Sequence, residues 1–278
     1  MAILASTTEG IGRIAGDELC LLTLPFGDLG SALDSGIDAT QFATMPVRKR
    51  ISADRAELLP TVVSPSKIWA VGFAYHSHRS EIGITDQIDD PLVFLEAPSS
   101  VTATATPIRL PAGSPSMVDY EGELAVVIGR RASSVDESVA MSYVAGYTIA
   151  NDVSARDVQK GLLPGRAASV TDAKSFDTFT PLGPYLATLD EFEDPHDLRL
   201  RTWVDGELRQ DSRTSLLIHS VPKLISYLSR RSTLEAGDVI LTGTPSGVGH
   251  AHGRYLRPGA TIQIEIEGIG TLTNTVSD

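Results

Sequence analysis

Between Leu124 and Ile128 the chain carries no polar residue, and its β-branched, apolar character is that of a strand buried on both faces. Just before this run, in the sequence VDYEGELAVVIG of residues 118–129, Glu121 and Glu123 stand two apart. The period of an extended chain then puts both carboxylates on one face. Short apolar segments at 18–24, 67–72, 91–95, 143–150, 183–187, 198–204, 238–241, 262–266 and 270–276 predict further strands, with Asp205-Gly206 as a hairpin turn. Helical signals are fewer: residues 52–59, a helical turn over 75–82, a short helix ending at Gln159 with Ser154 as candidate cap, and 220–229. This balance predicts an α+β, β-rich fold. Residues 59–67 (LPTVVSPSK) carry two prolines and little charge, which predicts a junction between a small N-terminal α+β domain, 1–62, and a larger domain, 63–278.

At 278 residues and 42% hydrophobic content the chain is long enough to bury a substantial core. Its formal charge of −12 argues against nucleic acid, whose phosphates are bound by displacing counterions with Lys and Arg, and favours a small organic substrate. Cys20, the single cysteine, excludes an intrachain disulfide and a multi-thiolate metal site, which fits a reducing cytoplasm. No basic segment precedes a long apolar one at the N-terminus, and no apolar run reaches the roughly 18 residues that span a bilayer. A soluble, cytoplasmic protein without membrane association is expected.

Paired acids that face each other repel unless a cation lies between them, and hard divalent ions are held by carboxylate oxygens. Asp152, at the end of the strand predicted over 143–150, is a third acid able to converge with Glu121 and Glu123. In FAYHSHRSEIG (73–83), His78 and Glu81 stand three apart on one face of the helical turn and can share a hydrogen bond, which suits a general base. His76 is one step off that face. The polar, Asp-rich stretch that follows, up to Pro91, reads as a lid. Lys174 precedes the strand over 183–187 and by itself reads as a surface residue. The GTPSGVG of residues 243–249 lacks the ending of a P-loop, but Thr244 and the amides around it can receive an oxyanion or carboxylate.

As a set, YEGELAVVIG (120–129), AGYTIANDVSARDVQ (145–159), AKSFDTFTPLGP (173–184) and LTGTPSGVG (241–249) resemble the fumarylacetoacetate hydrolase family, in that family's order, over most of the chain from residue 68 to 276. The resemblance implies a mixed β-roll around a deep pocket, commonly a homodimer, with a small N-terminal domain in many bacterial members. It implies Glu121, Glu123 and Asp152 as ligands of Mg2+ or Mn2+. His78 and Glu81 become the lid pair that activates a water. Arg156, Gln159 and Lys174 become the groups that bind a developing oxyanion. Tyr75, Gly243 and Thr244 become contacts to the substrate.

Two positions depart from the family pattern. Ala74 replaces the Asn that precedes Tyr75, and Glu96 replaces the Lys that follows the strand over 91–95. Glu96 is therefore expected as an anion at the pocket entrance, disfavouring dicarboxylates. Residues 161–170 also lack their usual aromatic. The expected reaction is cleavage of a carbon–carbon bond in a small 2,4-dioxo acid of acylpyruvate or fumarylpyruvate type. Decarboxylation or isomerisation of a 2-oxo acid, and a non-catalytic metal-binding module, are the alternatives.

Overall fold

The computed structural model describes residues 2–85, 89–111 and 116–278, so residues 86–88 of the stretch read as a lid lie outside the described residues. The chain opens with β1 (Ile3–Thr7), β2 (Gly10–Ala15), β3 (Glu18–Leu22), α1 (Leu29–Asp34) and β4 (Val47–Ser52). Next come β5 (Ile68–Gly72), α2 (His76–Glu81), β6 (Leu92–Glu96) and three two-residue strands: β7 (Val101–Thr102), β8 (Ile108–Arg109) and β9 (Val118–Asp119). The middle holds β10 (Gly122–Ile128), β11 (Val144–Asn151), β12 (Ser154–Ala155), α3 (Arg156–Gln159), α4 (Val170–Lys174) and β13 (Thr180–Ala187). The chain closes with β14 (Arg199–Val204), β15 (Glu207–Arg213), α5 (Val221–Ser229), β16 (Val239–Leu241), β17 (Thr261–Ile266) and β18 (Gly270–Ser277).

Two large sheets carry the fold. The first runs β4-β3-β2-β1-β13-β11-β10-β16-β5-β6, with β7 beside β13; the second runs β15-β14-β17-β18-β8. The N-terminal strands continue the first sheet through the antiparallel pair β1–β13, which joins Ile3 to Ala187. Strand β10 lies at the centre and is buried along its whole length. Its Leu124, Val126 and Ile128 enter the core shared with Leu200, Ile262 and Ile264 of the second sheet. Ala125 and Val127 enter a second core with Leu4, Leu33 and Phe42. Gly122 sits where β10 presses on β14: a Cβ there would collide with the Thr202 hydroxyl. That close approach explains the glycine between the two acids.

Several local expectations change. Residues 53–59 are not a helix: only Ala53–Arg55 makes a 3-10 turn, because the exposed β4 extends to Ser52 and the chain then returns to β1 through Thr8 and Leu59. Ser154 does not cap α3. It pairs with Asp119 in the β9–β12 ladder and its hydroxyl donates to the Asp152 carbonyl, while Ala155 holds the cap position. Lys174, which by itself reads as a surface residue, is buried at the end of α4, with the Ser169 side chain capping that helix at its start. The hairpin turn at Asp205-Gly206 forms as expected, with φ of 51° and 78°, the left-handed pair that a two-residue turn requires. The helix expected over 220–229 forms as α5, with Ser220 in the cap position before it. No helix among the described residues is long and apolar enough to cross a membrane.

Candidate active site

Glu121 occupies the break between β9 and β10, Glu123 the first turn of the β10 pleat, and Asp152 the residue after β11. The β10–β11 register brings them together, since Gly122 pairs with Asn151. Backbone bonds then lock the arrangement: Asp152 N–H donates to the Glu121 carbonyl at 2.9 Å, and Glu121 N–H to Asn151 Oδ1 at 3.0 Å. Gly243 N–H donates to Glu123 Oε2 at 2.7 Å. One oxygen from each acid lies within 4.8 Å of the others, and all three residues are buried. Burial and the neighbouring Asp152 and Glu121 charges push Glu123 well above the usual carboxylate range. Burial opposes the charge on Glu121 too, but Arg156 and Lys174 outweigh it and hold its carboxyl at about 2.

These residues fit a hard divalent cation. The donors are all carboxylate oxygens, Asp152 Oδ1 is buried with no hydrogen-bond partner, and a double positive charge would relieve the repulsion that raises Glu123. Thiolate and imidazole are missing from this donor set, which disfavours zinc.

Two buried cations border the acids. Lys174 Nζ lies 2.5 Å from Asp152 and 2.7 Å from Glu121, and 5.7 Å from the centre of the Phe94 ring. Burial favours a neutral amine, yet the Asp152 and Glu121 charges reverse this and raise its pKa, so the ammonium persists. Arg156, at the start of α3, reaches Glu121 at 2.5 Å and Gln159 Oε1 at 3.1 Å. Its other partner is Asp119, to which the sequence pattern assigns no role. Asp119 is fully buried, accepts from Arg156 Nε and Nη2 at 2.9 and 2.8 Å, and also accepts from the Gly249 and His250 amides. The available signal was an acid two residues before Glu121 on the same alternation.

Across the cavity, α2 presents His78 and Glu81. Phe73, with φ of 55°, turns the chain out of β5 into this helix. His78 Nδ1 is 3.3 Å from Glu81 Oε2, and Glu81 Oε1 accepts from Gly247 N–H at 2.8 Å, which fastens α2 to the glycine-rich loop. His76 is exposed. Thr244 lines the cavity; its hydroxyl donates to the Gly122 carbonyl and accepts from Gln210 Nε2 at 2.8 Å. Gly243 and Tyr75 do not line it. Gly243 acts through its amide on Glu123, and a side chain there would meet Ala74, so Ala74 fills the space against this turn. Tyr75 is fully buried and pairs with Leu217, its hydroxyl without a partner.

Glu96 overturns the expectation of an anion at the entrance. Leu92, Phe94 and Glu96 share one face of β6, and depth increases along it: Leu92 is 45% exposed, Glu96 only 3%. Glu96 accepts from the Thr180 hydroxyl, and burial together with the Asp152 charge raises its pKa well above the usual range. It is a buried acid below the entrance, because the strand runs inward from Leu92. The cavity itself, about 60 Å³, is walled by Phe73, Leu92, Phe94 and Val170 opposite His78, the three acids, Arg156, Gln159 and Lys174.

Residues 67–277 match the family model described as fumarylacetoacetate (FAA) hydrolase C-terminal. The chain belongs to the fumarylacetoacetate hydrolase family. Within it, the chain is 41% identical over 271 residues to Protein Rv2993c of Mycobacterium tuberculosis, covering 96% of this chain and 97% of that protein. It is 42% identical over 229 residues to oxaloacetate tautomerase YisK of Bacillus subtilis, covering 81% and 74%. It superposes with a TM-score of 0.80 and 36% identity on the crystal structure of 2-hydroxyhepta-2,4-diene-1,7-dioate isomerase from Mycobacterium marinum, covering 100% and 98%. The β-rich fold with large mixed sheets is that of the family.

Proposed function

We propose that this protein is a divalent-metal-dependent isomerase that interconverts the keto and enol forms of a small 2-oxo acid. The observation that carries the reading is that His78 lines the same cavity as Glu121, Glu123 and Asp152. Relatives named as a tautomerase and an isomerase support the reaction class. A Mg2+ or Mn2+ ion held by the three carboxylates supplies Lewis-acid polarisation of the oxo group, a contribution of several kcal/mol of charge stabilisation.

The protein's own groups then move one proton. Glu81 holds the His78 Nδ1 proton, which leaves the Nε2 lone pair as the base. Nε2 removes the proton on the carbon next to the oxo group, and the electron pair of that C–H bond becomes the enolate. Lys174 and Arg156, the latter steadied by Gln159 and Asp119, stabilise the negative oxygen. Return of the proton to oxygen gives the enol, and the reverse sequence gives the ketone.

Hydrolysis of a 2,4-dioxo acid is the second reading, favoured by the same tethered imidazole. With a water in reach of Nε2, hydroxide adds to the distal carbonyl and the carbon–carbon bond breaks towards an enolate that the same cations hold. Parallel assays decide between them: loss of oxaloacetate enol absorbance, and product formation from an acylpyruvate, each with magnesium or manganese. Isomerisation at least 10-fold faster than any hydrolysis is expected. Absence of enzyme-dependent turnover in both assays would overturn the reading.

A further inference from the structure

We propose that the cavity between the β14–β15 turn and residues 253–257 is a second binding site, specific for a small oxyanion bearing two or more oxygens. It encloses about 310 Å³ and is lined by Tyr120, Asp205, Arg209, Arg254, Tyr255 and Arg257 among others. In a chain of net charge −12, three guanidinium groups on one cavity are a local reversal of field. Their planar donor forks suit carboxylate and phosphoryl oxygens.

The acids nearby do not exhaust these donors. Glu207 bridges Arg254, at 2.9 Å, and Arg209, at 3.1 Å, and so orients both. Asp205 is engaged in its turn, accepting from Thr261 N–H at 2.8 Å. Arg209 Nε is buried with no partner, and among the described residues the Arg257 side chain has neither ion pair nor hydrogen bond. Three guanidinium groups thus face two carboxylates, leaving one positive charge over.

The cavity wall also touches the supports of the active site. Tyr120 Oη donates to the Gly247 carbonyl at 2.8 Å, and the amide of the same Gly247 holds Glu81. Tyr255 Oη lies 2.9 Å from His250 Nδ1, and the His250 amide donates to Asp119, the partner of Arg156. An anion seated on Arg209 and Arg257 therefore acts on the loop that fastens α2, and its binding is linked to the position of α2.

Calorimetric titration of the magnesium-loaded protein with sulfate, a stand-in for a phosphoryl group, and with succinate, a dicarboxylate, tests the site. One or both should bind, and the better of the two names the ligand class. Arg257→Glu should weaken binding at least tenfold and Arg257→Lys should restore most of it, while Arg166→Gln, elsewhere on the surface, should leave it unchanged. Arg257 is exposed, so these variants keep the fold. Binding of neither anion, or binding lost in Glu123→Ala but intact in Arg257→Glu, would overturn the proposal. Hydrogen exchange at the Gly247 amide should slow when the anion binds; an unchanged rate would overturn the link to α2.

Discussion

Arg156 grips Asp119 through both Nε and Nη2, at 2.9 and 2.8 Å, and the same Nη2 reaches Glu121. One buried guanidinium thereby ties the first residue of α3 to two acids on the β9–β10 segment. Removing one member of such a buried pair leaves an uncompensated charge, which costs about 3–5 kcal/mol. Asp119→Ala leaves Arg156 its Glu121 partner, so the stability measured by denaturant unfolding should fall by no more than about that amount, and turnover should fall even when the protein is fully folded.

Glu123→Ala should abolish magnesium and manganese binding by calorimetry, and chelation should remove activity until either ion is restored. Turnover that survives exhaustive chelation would end the metal assignment.

Burial raises both Glu123 and Asp152, the Lys174 charge only partly opposing it at Asp152, so a binding cation competes with protons. The sign follows: affinity for magnesium should rise as pH rises and fall as the acids take up protons. Titration at several pH values checks this, and a pH-independent affinity would show that the ion does not displace protons.

His78→Ala should lower turnover about 10²-fold or more, the usual worth of a positioned base, while leaving metal affinity nearly unchanged. Poor metal binding with normal turnover at saturation would place the histidine among the ligands instead.

Glu81 reports on the seating of α2 against the glycine-rich loop. Burial would raise its carboxyl, but the hydrogen bonds from His78 and the Gly247 amide outweigh it and hold it below its usual 4.5. A depressed carboxyl stabilises the seated α2 above that usual value, and the contribution is lost as pH falls through the depressed one. Exchange at the Gly247 amide should accelerate over that acidic range in the wild type and already be fast at neutral pH in Glu81→Ala.

The sequence alone was enough to mark Glu121, Glu123 and Asp152, because acids at strand ends are visible as breaks in an apolar pattern of period two. His78 and Glu81 were legible for a similar reason: their partnership is local, three residues apart on one turn. The tertiary structure decided everything that depends on register and depth. Lys174 looks like a surface residue from its local pattern, and only the family resemblance placed it in the site; the seating of α4 against Phe94 and Asp152 makes it a buried cation. Asp119 becomes a partner of Arg156 because the β9–β12 ladder pairs their neighbours, 37 residues apart in the chain. Glu96 shows the limit most clearly. Alternation told which face of β6 it occupies, but not that β6 runs inward, and that direction turns an expected entrance anion into a buried acid whose pKa is pushed up by burial and by the Asp152 charge.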